Sequence, residues 1–129
     1  MTNAGLLPLA GVTVVSIEQA VAASLATRHL ADLGARVIKV EHPDGGDYAR
    51  AYDNAVQGLA SHFVWLNRSK ESVALDLKIE SGIAVLHKLI ARAGVLLQNL
   101  APGAAGTGRG HGACATPEPD RGGHVRLRR

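Results

Sequence analysis

The stretch that most limits what this chain can fold into is residues 30–50, LADLGARVIKVEHPDGGDYAR. Ala31-Asp32-Leu33-Gly34 has the form of a helix finishing on a glycine, the residue that enters the left-handed region past a helix end without a Cβ penalty. Arg36-Val37-Ile38-Lys39-Val40 follows at once as a β-branched strand. His42-Pro43-Asp44-Gly45-Gly46-Asp47 then makes a loop of turn-forming residues at the strand's carboxyl end. Loops in that position are where open α/β folds place ligands.

The same alternation runs along most of the chain. Val12–Ile17 is an apolar run of strand length, and Gln19–Leu33 has helical spacing, with Ala22, Ala26, Leu30 and Leu33 on or near one face. Arg36–Glu41 is the second strand. Within Tyr48–Asn67, the segment Leu59–Leu66 reads as a helix carrying Phe63 and Trp65. Val73–Leu77 is the third strand, Ile79–Gly94 an amphipathic helix with Ile83, Leu86, Leu89 and Ile90 inward, and Val95–Leu100 the fourth strand. Strands alternating with helices imply right-handed crossovers. The fold expected is therefore α/β, a partial Rossmann-like, mostly parallel sheet with flanking helices. Composition agrees: 47% of residues are apolar, yet there are only one Phe, one Trp and two Tyr. The core must then be Val, Leu, Ile and Ala, which suits helices on a parallel sheet. After Leu100 the character changes. Gly103–Arg129 is glycine-rich, with Val125 and Leu127 its only large apolar residues and no helix or strand period, so a disordered C-terminal tail is expected. The expected division is an α/β part over 1–103 and a low-complexity part over 104–129.

Several function classes drop out on composition and motif. One cysteine, Cys114, gives neither a disulfide framework nor zinc-ligand spacing, and it points to a reducing, cytoplasmic setting. The net charge of +3 comes largely from Arg109, Arg121, Arg126, Arg128 and Arg129 in the tail, without aromatic interleaving or a groove-reading motif, so no nucleic-acid partner is expected. The apolar stretch Gly5–Ala26 has no Lys or Arg before Arg28 and is interrupted by Glu18 and Gln19, unlike a secretory leader or a membrane span. Ser16-Ile17-Glu18-Gln19-Ala20 lacks the glycines of a dinucleotide fingerprint. Ser24, Ser61 and Ser72 lack a nucleophile-elbow context. Asp44 and Asp47 around Gly45-Gly46 lack the ligand spacing of a calcium loop and fit turn chemistry, so no metal is expected.

Residues 30–50 belong to a longer series of blocks: Pro8-Leu9-Ala10-Gly11-Val12 before them, then Leu66-Asn67-Arg68-Ser69-Lys70, Leu75-Asp76-Leu77-Lys78 and Gln98-Asn99-Leu100-Ala101-Pro102-Gly103. In this order and spacing, from about Leu7 to about Gly103, the chain resembles the start of the family III CoA-transferases (CaiB/BaiF-like). That family includes formyl-CoA transferases, carnitine and succinyl-CoA-dependent transferases and α-methylacyl-CoA racemases. The resemblance implies transfer of CoA between an acyl-CoA and a carboxylic acid, with acyl-CoA as substrate and no tightly bound cofactor. It also implies interlocked homodimers, completed by a half of the chain that has no counterpart here; no membrane partner is expected, because no run in the sequence has the length of a membrane span. The family's aspartate nucleophile lies beyond the matched blocks. None of Asp32, Asp44, Asp47, Asp53 or Asp76 stands in its motif, so no catalytic residue is expected in this chain and the fragment alone should be inactive.

The residues the resemblance assigns to CoA are Val21, His42, Leu75, Lys78, Asn99 and Leu100. Val21 falls beside the thioester end, where relatives often have Gln, and Ala23-Ser24 replaces their Gly-Pro. His42 falls near the nucleotide part, Leu75 and Lys78 line the adenosine and phosphate region, and Asn99-Leu100 matches the pair ending the fourth strand. Each has a plainer reading as well: His42 as a solvated loop residue, Lys78 as a surface lysine. Asn99 is the strongest candidate, because a buried amide ending an apolar strand must find partners. The rivals are a stand-alone α/β module that binds CoA or a nucleotide without catalysis, and a fragment of an acyl-CoA racemase.

The tail departs from the family. Where this chain has Ala104–Gly110 and Gly123–Arg128, relatives have segments like RLGLGAD and DMSGYG. Permitted codons for both segments, read one base later, give those two motifs in a single frame. The expectation is a base lost or gained near Ala101–Ala105, with Gly106–Arg129 out of frame.

Overall fold

A computed structural model describes residues 7–100 and the backbone of residues 124–127. Strand β1 (Thr13–Ile17) leads to helix α1 (Ala22–Asp32) and strand β2 (Arg36–Glu41). A 3₁₀ turn (Tyr48–Ala51) and helix α2 (Ser61–Asn67) connect to β3 (Lys70–Ala74), and helix α3 (Glu80–Arg92) returns to β4 (Val95–Gln98). These four strands are parallel, and the last strand, β5 (His124–Leu127), lies antiparallel on β4. The order across the sheet is β3-β2-β1-β4-β5. The crossover through α3 therefore passes over β2 and β1, and the direction of winding reverses between β1 and β4.

Alternation along the strands loads both faces. Val14 and Val37 pack with Ala31 and Ala35 on the α1 side. Val15, Ile17 and Val40 pack with Leu86 on the α3 side, where Leu89 and Ile90 close over them and Ile83 is half-buried. The buried apolar residues are the Val, Leu, Ile and Ala anticipated from composition. Gly34 turns α1 into β2 at φ +100°, with the Leu7 side chain where a Cβ would stand.

Four details correct the sequence reading. Helix α1 starts at Ala22, three residues later than expected, because Gln19 and Ala20 are held in the preceding turn by Asp47, Tyr48 and Asn99. Its buried side is Ala23, Ser24, Thr27 and Ala31, while Ala22 and Ala26 are exposed. Two hydroxyls point inward because buried charges lie beneath them. Strand β3 runs Lys70–Ala74 rather than Val73–Leu77, since its register on β2 (Val37 opposite Lys70, Glu41 opposite Ala74) fixes the ladder. Val73 within it and Leu75 and Leu77 beyond it still pack against the α3-side core, and the Leu75 N–H still reaches the Glu41 carbonyl at 2.9 Å. Lastly, His124–Leu127 forms a strand where none was expected. The open backbone edge of β4 is a template for such pairing. Residues 101–123 and 128–129, which carry the rest of the expected disordered tail, lie outside the described residues.

Candidate functional site

The end of the sheet at which the parallel strands finish carries three turns. After β1, the chain makes the turn Glu18-Gln19-Ala20-Val21, in which Ala20 is left-handed at φ 59°. After β2 comes the His42–Asp47 loop, and after β4 comes Asn99. Winding reverses between β1 and β4, and in open α/β sheets the strand ends at such a reversal point are the usual ligand position.

Asn99 binds the facing turn with both ends of its amide. Its Oδ1 accepts the Gln19 N–H at 3.0 Å and its Nδ2 donates to the Gln19 carbonyl at 3.0 Å. The residue is exposed, so the partners it finds are backbone groups of the facing turn rather than a buried neighbour. Val21 is 41% exposed at the start of α1, next to that clamp. Leu100 is half-buried against the α3-side core. The other three expected residues gather at the ends of β2 and β3. His42 Nδ1 accepts the Asp44 N–H at 3.0 Å, and its Nε2 lies 3.8 Å from the Asp76 carboxylate. Asp76 also caps the Lys78 N–H at 2.9 Å, and the Lys78 side chain is exposed. Leu75 continues β3 and is half-buried. The six residues thus fall into two groups along one edge, Val21, Asn99 and Leu100 by the reversal point and His42, Leu75 and Lys78 beyond β2.

Beneath this edge lies a charged cluster that the sequence reading missed. Lys39, in the middle of β2, is 1% exposed. Its ammonium pairs with Asp47, lies 3.4 Å from Glu18 and donates to Asn67 Oδ1 at 2.8 Å. Lys70 donates to Glu18 at 2.7 Å and to the Ser24 carbonyl at 2.9 Å. The Thr27 hydroxyl donates to the other oxygen of Glu18 at 2.7 Å. Two ammoniums and two carboxylates are thereby buried as a neutral set, the condition under which buried charge is tolerated. Next to it, Glu41 takes a two-pronged bond from Arg50 at 2.8 and 3.0 Å, and the guanidinium stacks 3.8 Å from the Phe63 ring centre. Burial pushes the Asp47 and Glu41 carboxyls upward. The Lys39 and backbone donors on Asp47, and Arg50 and Ser72 on Glu41, outweigh it and hold both below the usual carboxylate range. Burial lowers Lys70, against the pull of Glu18. The one sequence signal for the cluster is a pair of charges, Lys39 and Glu41, on the α1-facing side of a strand whose neighbours are apolar. Asp47, assigned to turn chemistry, does cap the 3₁₀ turn through Ala49, and its remaining capacity goes to Ala20 and Lys39.

A parallel sheet wound both ways from its middle, without a glycine fingerprint on the first turn, defines a doubly wound α/β protein. Within that class the chain belongs to CoA-transferase family III, whose model matches residues 9–119. It is 36% identical over 99 residues to the succinyl-CoA–L-malate CoA-transferase alpha subunit of Chloroflexus aurantiacus, covering 75% of this chain and 23% of that protein. It is 37% identical over 97 residues to the human succinyl-CoA:glutarate CoA-transferase, covering 74% and 22%. Among solved structures, the D175A mutant of Rv3272 from Mycobacterium tuberculosis superposes with a TM-score of 0.69 at 43% identity, over 75% of this chain and 26% of that one. The chain therefore spans about a quarter of the length of the relatives it matches.

Proposed function

We propose that this chain is the N-terminal, CoA-holding part of a cytoplasmic acyl-CoA:carboxylate CoA-transferase, and that alone it transfers nothing. The meeting of exposed Val21 and the Asn99–Gln19 clamp at the ends of β1 and β4, where the winding reverses, is the observation that carries the reading. There the thioester end of CoA lies by Val21 and the Asn99-Leu100 pair, while His42, Leu75 and Lys78 take the nucleotide part. Lys78 supplies an exposed cation for phosphate, and His42 sits at the same edge. The nucleophilic carboxylate, and the partner subunit of an interlocked dimer, belong to the part of the relatives' length that this chain does not match. The transferase names of its relatives favour transfer over racemisation. The tail carries AAGTGRG and GHVRLR where the family has RLGLGAD- and DMSGYG-like motifs, which fits a shift of frame near Ala101–Ala105.

One experiment in two arms tests this. Sequencing the DNA across codons 95–129 and beyond should show that correcting one base restores an open frame to an aspartate-bearing motif. A sound frame that stops after Arg129 overturns the transferase reading. In the second arm, CoA is titrated into the purified chain, and succinyl-CoA is supplied with a dicarboxylate. Millimolar binding and no exchange are expected. Micromolar binding by a folded monomer favours the stand-alone module instead, a reading encouraged by two well-formed core clusters within residues 7–100.

A further inference from the structure

The buried charges lie under a turn that is strained, and the bonds between them are specific. Ala20 is a non-glycine residue at φ 59°, a conformation that persists only when its surroundings over-determine it, and such residues concentrate at ligand sites. Asp47 Oδ1 accepts the Ala20 N–H at 2.9 Å and the Ala49 N–H at 2.9 Å, while Oδ2 is taken by Lys39. One residue on, the Tyr48 N–H donates to Gln19 Oε1 at 3.0 Å. From the opposite side, the Asn99 amide closes on the Gln19 backbone. The turn is therefore held between the β2 loop and the end of β4, with the load on Asp47 transmitted into the core through Lys39, Glu18 and Lys70. Burying four charges is weak evidence for stability as such, whereas it does fix geometry by leaving each group one set of partners.

We propose that Asp47 is a positioning residue: braced by the buried Lys39, its carboxylate pins Ala20 in the left-handed turn and thereby sets where Val21 meets the ligand. The inference deepens the CoA reading and rests on it only for the identity of that ligand.

The test uses the full 129-residue chain, ¹⁵N-labelled, as wild type and with Asp47→Asn, Ala20→Gly and both. Amide exchange is followed at Ala20 and at the core strand residues Val15 and Val37. Asp47→Asn should speed exchange at Ala20 by about tenfold more than at the strand amides. A uniform acceleration, or none, overturns the proposal. If Asp47→Asn does not fold, Ala20→Gly decides. Glycine adopts this φ without penalty, so the folding equilibrium should rise about threefold, and a fall overturns the strained-turn premise. Where all four fold, Asp47→Asn should cost less in the Ala20→Gly background, and equal costs count against the pin. Millimolar CoA should shift the Ala20 and Val21 amides of the wild type and leave those of Asp47→Asn in place. Equal shifts in both proteins overturn the positioning role. Absence of shifts in the wild type defeats the CoA reading, while the exchange rates still judge the turn by themselves.

Discussion

Asp53 takes three donors on its two oxygens: the Ser61 hydroxyl at 2.7 Å, the Ala55 N–H at 2.9 Å and the Ser61 N–H at 2.9 Å. These bonds, the Ser61 hydroxyl foremost, hold its carboxyl down to about 2. In the unfolded chain the same group titrates near ~3.9. Between those values the unfolded state binds more protons, so stability rises with pH through that window and is fully present above it. Urea midpoints of the wild type should fall as pH drops from about 4 toward 2, and Asp53→Asn should remove part of that slope; an unchanged slope defeats the assignment. Residue-scale chemistry of this kind was only partly legible in the sequence. Asn99 stood out because its position follows directly from the end of an apolar strand, whereas Val21 was reached only through the family resemblance. Lys39 did not, because a lysine in an alternating strand looks like a solvent-facing residue. What buries it is counter-charge from Glu18 and Asp47, in segments on either side of the strand, and no local pattern encodes that meeting.

At the scale of elements, apolar period located β1, β2, α3 and β4 to within two residues or so at each end. It failed for the inner face of α1 and for the limits of β3, where hydrogen-bond register and buried hydroxyls overrule hydropathy. Helix α3 adds a constraint that period alone does not show. In its first turn, a Cβ on Gly82 would run into the backbone carbonyl of Asp76, a neighbour with no rotamer to yield. Gly82→Ala, ordinarily helix-favouring, should here cost about 1–3 kcal/mol, read as a lower urea midpoint at unchanged slope. Exposed Ala84→Gly in the same helix should cost about 1 kcal/mol or less. A gain in stability from Gly82→Ala would mean that the Asp76 segment moves aside.

Over the whole chain, the described residues leave a considerable apolar area in solvent. Tyr48 is 72% exposed, and Tyr52, Val56, Leu59 and Trp65 are also exposed along the connection from β2 to β3. Tyr52, His62 and Trp65 stack edge to face in a ladder across its surface. No helix among the described residues is long and apolar enough to cross a membrane. Exposed apolar rings that gather as Tyr52 and Trp65 do about His62, rather than standing singly, favour association. Sedimentation of the purified chain should therefore show self-association that grows with concentration, and a monomer with a sharp, cooperative melt would count against this. Fold class and family were legible at this scale because both depend on the order of blocks along the chain, whereas the extent of uncovered surface depends on how they pack.

The neutral set of Glu18, Lys39, Asp47 and Lys70 also bears on how sequences of this kind can diverge. Replacing any one member strands an opposite charge in the interior at a cost of about 3–5 kcal/mol, whereas an uncharged set of matching volume can be as stable as the original. The two are separated by intermediates that a marginally stable protein does not survive. These four positions should consequently be inherited as a unit, kept together across descendants or exchanged together, however freely the residues of the turns above them drift.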